Sequence, residues 1–407
     1  MKKTVLKEYA KLIVRMGANV QKGQNVIINA GLDQPEFVKM VVEEAYKAGA
    51  RHVMVQWNYQ PLTKLDVRYQ SLDTLSTLEN WEKEKWQHMV DTLPVMISLA
   101  SANPDGLKGM NVGKYSKAMQ KKTGVIKSYR EQMNDKYQWC IAAVPGVEWA
   151  KKMFPECSKR QAVEKLWEAI LFTARVTDDP IKAWEEHNAD LISRCQKLNE
   201  LQIDSLHMTA DNGTDFTVEL IKESHWNGGG ATTLNGVFYN PNMPTEECFI
   251  SPMKGKAEGL VVSTKPLSYQ GQLIENFSIR FEGGKAVEVH AEKGEEALKA
   301  MISMDEGAAM LGEVALVPQK SPIAESGLLF YNTLFDENAA CHLAVGRGFT
   351  DCINGHEEKT LAECREMGVN ESMIHVDFMI GCDTMNIDAT CRNGEIVPIF
   401  RNGNWAF

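Results

Sequence analysis

The sequence lacks any apolar run long enough for a membrane helix, and it shows no internal repeat or low-complexity segment. Roughly 18 consecutive apolar residues would be needed to cross a bilayer. The N-terminal stretch MKKTVLKEYAKLIVRMG is basic but keeps charges among its apolar residues, which indicates an amphipathic helix and not a signal peptide. We therefore expect a cytoplasmic protein that makes no membrane contact.

Cysteine pairs and glycine-rich nucleotide motifs are also missing. Nine cysteines lie between Cys140 and Cys391, but none forms a CxxC pair, a pattern typical of reduced structural thiols and not of a thiolate zinc site. Neither GxGxxG nor GxxxxGK[ST] is present, so no nucleotide site is indicated. The net charge is −10 and no Lys/Arg cluster is long enough to suggest a nucleic-acid face, which argues against a nucleic-acid partner.

The chain of 407 residues divides into two halves that differ in their pattern of predicted helices and strands. In the first half, the buried-strand patterns NVIINAG, HVMVQW, PVMISLASA and WCIAAVP alternate with helical segments, as in a parallel α/β unit. After about residue 200, three hairpin patterns follow, with turns at Asn212-Gly213, Gly283-Gly284 and Asn393-Gly394. We predict an α/β domain over 1–190 and a β-rich α+β domain over 191–407.

Carboxylates inside apolar sequence are the informative acids, because an unpaired buried charge costs several kcal/mol. Glu246 and Glu247 are adjacent in NPNMPTEECFISP, so in an extended segment they point to opposite sides; both could equally be surface acids. Glu313 lies between apolar residues in AAMLGEVALVP. A structural ion pair and a metal ligand are both open there.

Two histidines accompany further acids in the second half. Glu337 and His342 are five residues apart, and on one helix they would diverge by roughly 140°, so they converge only if a turn intervenes; alone, His342 is more typical of a core histidine. In SMIHVDFMIG, a strand would place His375 and Asp377 on one face, either as a hydrogen-bonded pair or as half of a metal site.

Together these positions supply four carboxylates and two imidazoles. The set is Glu247, Glu313, Glu337, His342, His375 and Asp377. Four negative charges balance two divalent cations, and such a site would hold two ions and activate a bridging water. By contrast, Glu288 and His290 have the same spacing as a His-x-Asp pair but lie in a charged hairpin, where we expect them to be solvated.

Four sequence motifs resemble, in their order along the chain, those of the aminopeptidase T / AmpS / PepS family, the M29 metallopeptidases. They are PNMPTEECF, GEVALVP, DENAACH and HVDFMIG. The similarity spans the chain and is most specific over residues 240–381. It implies a two-domain exopeptidase, often homodimeric, with its metal site in the C-terminal domain. It also implies the same six ligands, and Glu247 in preference to Glu246.

The sequence departs from the family's pattern at Phe349. Members of the family carry a tyrosine, regarded as catalytic, seven residues after the histidine of DENAACH, and here that position is a phenylalanine. A phenol could donate a hydrogen bond to the oxyanion, and loss of one such donor typically costs ~10²–10³ in rate. Phe349 keeps the ring and loses the donor.

The sequence thus predicts an aminopeptidase that removes N-terminal residues from short peptides through a metal-bridged hydroxide. Its cofactors would be two divalent ions (zinc, cobalt or magnesium), with Glu246 as a candidate proton carrier. The α/β domain would supply dimer contacts and limit access. The alternatives are a ring-cleaving dioxygenase with a single Fe(II), using His342, His375 and one acid, and a peptide- or metal-binding protein whose catalysis is weakened at Phe349.

Overall fold

The computed structural model describes residues 1–270 and 272–407. Contacts within the chain divide it into two units: the first comprises Met1–Glu185 and Gly230–Pro244, and the second comprises Glu186–Gly229 and Thr245–Phe407. Within the described ranges, no helix combines the length and the apolar character that crossing a membrane requires.

The bounds of the elements are as follows. The α-helices are α1 (Lys3–Leu12), α2 (Pro35–Lys47), α3 (Gln60–Tyr69), α4 (Leu72–Ser76), α5 (Asn80–Thr92), α6 (Val112–Met133), α7 (Val147–Met153), α8 (Lys159–Thr173), α9 (Pro180–Glu200), α10 (Glu295–Ile302), α11 (Pro322–Glu325), α12 (Thr333–Asp336) and α13 (Leu361–Glu366). The strands are β1 (Asn25–Gly31), β2 (His52–Asn58), β3 (Val95–Ala100), β4 (Trp139–Ala143), β5 (Ile203–Thr209), β6 (Asp215–Leu220), β7 (Asn227–Gly228), β8 (Ala231–Thr232), β9 (Phe238–Tyr239), β10 (Asn242–Met243), β11 (Cys248–Ile250), β12 (Pro252–Val262), β13 (Leu267–Tyr269), β14 (Gln272–Glu282), β15 (Lys285–Lys293), β16 (Leu311–Leu316), β17 (His342–Gly346), β18 (His375–Met379), β19 (Asn386–Cys391), β20 (Ile396–Arg401) and β21 (Asn404–Trp405).

The first unit is built on a parallel sheet in the order β10-β4-β3-β1-β2. β1 pairs in parallel with both β2 and β3, and β3 pairs in parallel with β4. Helix α2, which begins at Pro35, connects β1 to β2, so the predicted strand–helix–strand unit is confirmed. Proline suits a first helical position because its missing N–H would have no intrahelical partner there.

One segment returns to the first unit from later in the chain. Residues 230–244 group with this unit, and β10 pairs in parallel with β4 through Asn242 and Met243. The predicted division into two contiguous domains at residue 190 does not include this return of the chain. The pairing involves only two residues of β10, a length too short to produce a periodic pattern in the sequence.

The second unit contains a nine-stranded sheet that includes the three predicted hairpins. Its order is β13-β14-β12-β6-β5-β19-β20-β21, with β15 paired to β14. The antiparallel pairs β5–β6, β14–β15 and β19–β20 confirm the hairpins. Gly283 and Gly284 turn the second hairpin with φ of +55° and +75°, a conformation that glycine adopts without the strain of a side chain.

The second unit also contains a five-stranded antiparallel sheet in the order β18-β17-β16-β11-β7. Alternate residues of its strands, among them Val314, Leu343 and Phe378, are fully buried in one apolar core with the nine-stranded sheet. Because side chains alternate across a strand, the residues between them face the opposite side. These intervening residues include Glu313, His342 and Asp377.

Candidate metal centre

The register of the five-stranded sheet brings the predicted ligands side by side. Ala344 of β17 pairs with Glu313 on one neighbouring strand and with Asp377 on the other, while His342 pairs with Ala315. Residues opposite one another on paired strands share a face. The two alanines between these ligands are small, which leaves space above the middle of the sheet.

Glu247 reaches the same face from the other side of β16. It immediately precedes β11, in which Phe249 pairs with Ala315. By strand alternation, Glu247 and Phe249 share the face of Ala315 and His342, and Cys248 between them is buried in the core.

Glu337 lies in a turn that precedes β17 and approaches the other predicted ligands from there. Residues 337–339 form a 3₁₀ turn, and Ala340 is extended before β17 begins at His342. This change of direction is the intervening turn that the spacing of Glu337 and His342 required. Burial raises the pKa of the Glu337 carboxyl, which also lies close enough to Asp377, Glu247 and Glu313 for their charges to raise it further.

The ligand atoms form two groups that share one residue. One group contains Glu247, Glu313 and His342, and the other contains Glu313, His375 and Asp377, with the ligand atoms of each group within 4.8 Å of one another. His342 Nε2 lies 3.2 Å from Glu247 Oε2 and His375 Nε2 lies 3.0 Å from Glu313 Oε2. Glu313 is therefore the common member.

Both histidines are oriented by backbone carbonyls. His342 Nδ1 lies 3.2 Å from the carbonyl oxygen of Ala340, and His375 Nδ1 lies 2.6 Å from that of Arg347. A carbonyl oxygen only accepts, so Nδ1 carries the proton in each ring. In the neutral ring Nε2 is then the free ligand atom, directed at the carboxylates, which is the usual orientation of metal-binding histidine.

Burial and mutual repulsion dominate the electrostatics of the acids. Burial raises the pKa of Glu313 to about 7, and His375 beside it only partly offsets this. Burial, followed by the charges of Asp377, Glu247 and Glu313, raises the pKa of Glu337 well above its usual range. Taking carboxylates out of water together disfavours their charged forms.

For the histidines and Asp377, neighbouring opposite charges outweigh burial and favour the charged form, so the pKa of each histidine is raised and that of Asp377 is lowered. Burial disfavours the charged form of His342, but the contact with Glu247 and the charges of Glu313 and Asp377 together outweigh burial and raise its pKa to about 9. For Asp377, burial opposes ionisation, and the charges of His375 and His342 outweigh it and lower the pKa. In the metal-free protein, protons on the imidazoles therefore provide part of the compensating positive charge.

A divalent cation fits this donor set. Asp377 Oδ1 is buried and makes no hydrogen bond among the described atoms, since its 3.2 Å contact with His375 Nε2 lacks hydrogen-bond geometry. A buried carboxylate oxygen without a partner is costly. The oxygen-rich set with two imidazoles is suited to divalent ions of the zinc, cobalt, manganese or magnesium type.

Glu246 is buried but faces a different neighbourhood from Glu247. Its Oε2 lies 3.9 Å from His187 Nε2, which in turn lies 2.7 Å from the carbonyl oxygen of Thr245. In the described part of the chain, neither ligand group includes Glu246. Its predicted role as a proton carrier stays a prediction.

Asn338 is a site residue that the sequence did not indicate. Its side chain is fully buried; Oδ1 accepts from the N–H of Glu246 at 2.7 Å, and Nδ2 lies 3.3 Å from Glu337 Oε1. One amide thus connects the segments that carry Glu247 and Glu337. An asparagine beside an acid has no distinctive spacing in the sequence. The only local signal for Asn338 was its position directly after Asp336 and Glu337.

The ring of Phe349 lies against the centre. Its centroid is 4.8 Å from that of the His375 imidazole and 5.5 Å from that of the Phe249 ring, edge to face. Ser251 fixes the backbone of Phe349, because Ser251 Oγ accepts from its N–H at 2.7 Å and donates to its carbonyl at 3.2 Å. Phe249 was also not singled out by the sequence.

Five of the six predicted ligands thus lie in the two ligand groups, and Glu337, which neither group includes, lies near their carboxylates. The similarly spaced pair Glu288 and His290 does not join them. Both residues of that pair are exposed on β15, as expected. Nδ1 of His290 lies 3.2 Å from Glu295 Oε2.

Comparison with known proteins gives matches along the whole chain. The family described as thermophilic metalloprotease (M29) matches residues 2–405. Aminopeptidase AmpS of Bacillus subtilis (strain 168) is 44% identical over 405 residues, which cover 99% of this chain and 98% of that protein.

Two solved structures are similar in fold. AmpT from Thermus thermophilus superposes with a TM-score of 0.91 at 36% identity, over the full length of both chains. The 2,5-dihydroxypyridine dioxygenase from Pseudomonas putida KT2440 has a TM-score of 0.54 at 13% identity, over 100% of this chain and 98% of that one. The second likeness concerns the fold alone.

Proposed function

Because this chain belongs to the M29 family of thermophilic metalloproteases and is a metallo-aminopeptidase, we propose that it removes N-terminal residues from short peptides with two divalent ions. The observation that carries the proposal is the pair of ligand groups that share Glu313. A carboxylate shared by two ligand groups could contact two neighbouring ions, as a two-metal hydrolase would need its ions close together.

The residues would divide between the ions as follows. Glu247 and His342 would hold one ion, His375 and Asp377 the other, and Glu313 would contact both. Glu337 lies against Asp377 and would complete the second position. All of these residues lie in the second unit, so we propose that this unit carries the catalytic centre.

Ions bound here would polarise the scissile carbonyl and supply a water that is nucleophilic at neutral pH. The chain's own residues perform the remaining tasks. The carbonyls of Ala340 and Arg347 keep both imidazoles turned toward the centre, and Asn338 holds Glu337 and the segment before Glu247. We propose Glu246 as the group that moves the proton to the departing amine.

Phe349 stands beside His375 without a hydroxyl group. We propose that the rate of peptide hydrolysis is limited by the missing donor, since a phenol at this ring could stabilise the oxyanion. Phe349→Tyr should then raise kcat roughly tenfold or more, because one such donor is typically worth ~10²–10³ in rate. Phe407→Tyr, at an exposed ring of the same unit, is the matched control and should leave kcat unchanged.

The test is hydrolysis of aminoacyl-p-nitroanilides by wild type and Phe349→Tyr, each loaded with zinc, cobalt or magnesium. Hydrolysis by either protein that is abolished by chelation supports the proposal. If both proteins bind metal and both are inert, the aminopeptidase proposal fails. A protein that binds peptides without turnover would then be the better account.

The dioxygenase alternative rests on the shared fold alone. It needs a single Fe(II) held by two histidines and one acid, and it leaves the other three carboxylates of the centre without a role. Uptake of oxygen with a hydroxypyridine by protein that carries one iron would favour it. A homodimer, a cytoplasmic location, and limitation of access by the first unit also stay predictions.

A further inference from the structure

Two half-buried phenyl rings lie on the ligand face of the five-stranded sheet. Phe249 shares this face with Glu247 by strand alternation, and its ring packs edge to face on Phe349 at 5.5 Å. Phe349 in turn packs on the imidazole of His375 at 4.8 Å. The three rings form one continuous aromatic surface, which we name the aromatic wall: Phe249, Phe349 and His375.

The aromatic wall lies at the accessible end of the centre. The side chain of His375 is 20% exposed, whereas that of His342 is 1% exposed. Phe249 and Phe349 are both partly exposed while their inner surfaces pack on the core. The two phenyl rings therefore lie beside the more exposed of the two histidines.

The wall is held in place and does not depend on substrate for its shape. Ser251 bonds both backbone polar groups of Phe349, and Phe249 is fixed within the pairing of β11 to β16 and β7. Its rings present apolar faces that offer no hydrogen-bond partner to a charged side chain. Rigid, partly exposed aromatic rings gain free energy by covering apolar surface.

We propose that Phe249 and Phe349 form the subsite for the side chain of the substrate's N-terminal residue, and that they select large apolar residues such as leucine, methionine and phenylalanine. This proposal rests on the aminopeptidase function. The amino group and the scissile carbonyl of the N-terminal residue are attached to the same Cα and are both anchored at the centre. Its side chain is therefore the substrate group nearest to any wall beside the ligands.

The test compares kcat/KM for a series of p-nitroanilides with N-terminal Leu, Phe, Ser and Gly. Wild type should prefer Leu or Phe to Ser or Gly by at least roughly tenfold, the scale of one apolar group in a pocket. Phe249→Asn, which makes the wall polar, should reduce that preference roughly tenfold. Phe249→Leu keeps an apolar side chain at this position and should retain most of the preference for Leu and Phe.

The matched control is Phe407→Leu, at an aromatic pair with Trp405 in the same unit. Its preference should equal that of wild type. Binding of free L-leucine, L-phenylalanine and glycine to metal-loaded protein, measured by calorimetry, gives a readout that needs no turnover. Leucine and phenylalanine should bind more tightly than glycine to wild type, and this difference should shrink in Phe249→Asn.

The outcomes separate the two claims. If no protein hydrolyses any substrate, the aminopeptidase function fails, and equal binding of the three amino acids would overturn the subsite as well. If wild type hydrolyses peptides but Phe249→Asn keeps the wild-type preference, the subsite proposal is overturned and the aminopeptidase function stands. An equal loss of rate on all four substrates also overturns it, because a merely structural defect would act in that way.

Discussion

At the scale of single residues, the centre depends on partners that hold the ligands in place. Asn338 accepts from the N–H of Glu246 and lies within hydrogen-bonding distance of Glu337, and its own carbonyl accepts from Ser321 Oγ at 3.2 Å. The first two contacts fix segments that carry the predicted ligands Glu247 and Glu337. Such partners typically affect metal affinity by 10–100-fold.

Asn338→Ala should therefore weaken metal binding by roughly 10–100-fold and also lower the free energy of unfolding, because the buried N–H of Glu246 loses its acceptor. The measurement is competition for zinc with a chromophoric chelator. Asn354→Ala removes an exposed asparagine of the same unit that contacts His225, and it should bind zinc as wild type does. Unchanged affinity in Asn338→Ala would contradict the role given to this amide.

The predictability of the site differs from residue to residue. Glu313 is flanked by apolar residues, so its burial could be predicted. Glu337 and His342 could be placed together only through the turn at residues 337–339, whose 3₁₀ conformation no spacing rule specifies. Asn338 and Phe249 could not be predicted, since an amide and a ring acquire their roles only through the strands that surround them.

At the scale of elements, each strand of the five-stranded sheet serves the core and the centre at once. In β18, Asp377 faces the ligands and Phe378 is fully buried against Phe277, with ring centroids 5.9 Å apart. A shift of register by one residue would exchange the two faces. The apolar residues therefore fix the positions of the ligands.

Phe378→Ala should lower the free energy of unfolding by about 3–5 kcal/mol, the usual cost of removing a buried phenyl ring. Urea unfolding of the metal-free protein measures this loss directly. Phe172→Ala, at a ring that is 57% exposed, should change stability by less than about 0.5 kcal/mol. A loss below about 1 kcal/mol in Phe378→Ala would show that the strand is not held by this core.

At the scale of the whole molecule, the metal-free protein carries a buried excess of acids. Glu313 has a pKa raised to about 7 by burial, so the stability associated with its protonation falls as pH rises from about 4.5 through 7. The pKa of His342 is raised to about 9 despite burial, through contact with Glu247 and the charges of Glu313 and Asp377. Its contribution is present below pH 6.5 and is lost as pH rises through 9.

Both shifts make the metal-free protein progressively less stable as the pH rises from about 5 to about 9. The lowered pKa of Asp377 changes stability with pH only below its ordinary value of 3.8, outside this range. Metal ions bind the deprotonated ligands. The rise in Tm on adding zinc should therefore be larger at pH 8 than at pH 6, as thermal scans with and without a chelator would show. A rise that is equal at both pH values would contradict this coupling.

The overall architecture could be predicted in part. Strand patterns that alternate with helical patterns identified the α/β half, and glycine turns between β-patterned runs identified the β-rich half. Both signals are local in the sequence. The return of residues 230–244 to the first sheet was not predictable, since β10 contributes only two residues to the pairing. The five-stranded sheet also escaped prediction, because its strands are far apart in sequence and no hairpin joins them.

The most direct test of the two-metal centre is the number of divalent ions per chain, measured by mass spectrometry of the dialysed protein. Two ions are expected in wild type, two in Glu288→Gln at the exposed hairpin, and fewer than two in Glu313→Gln, since both ligand groups include Glu313. A single ion in wild type, or two ions retained in Glu313→Gln, would contradict a centre built around this shared carboxylate.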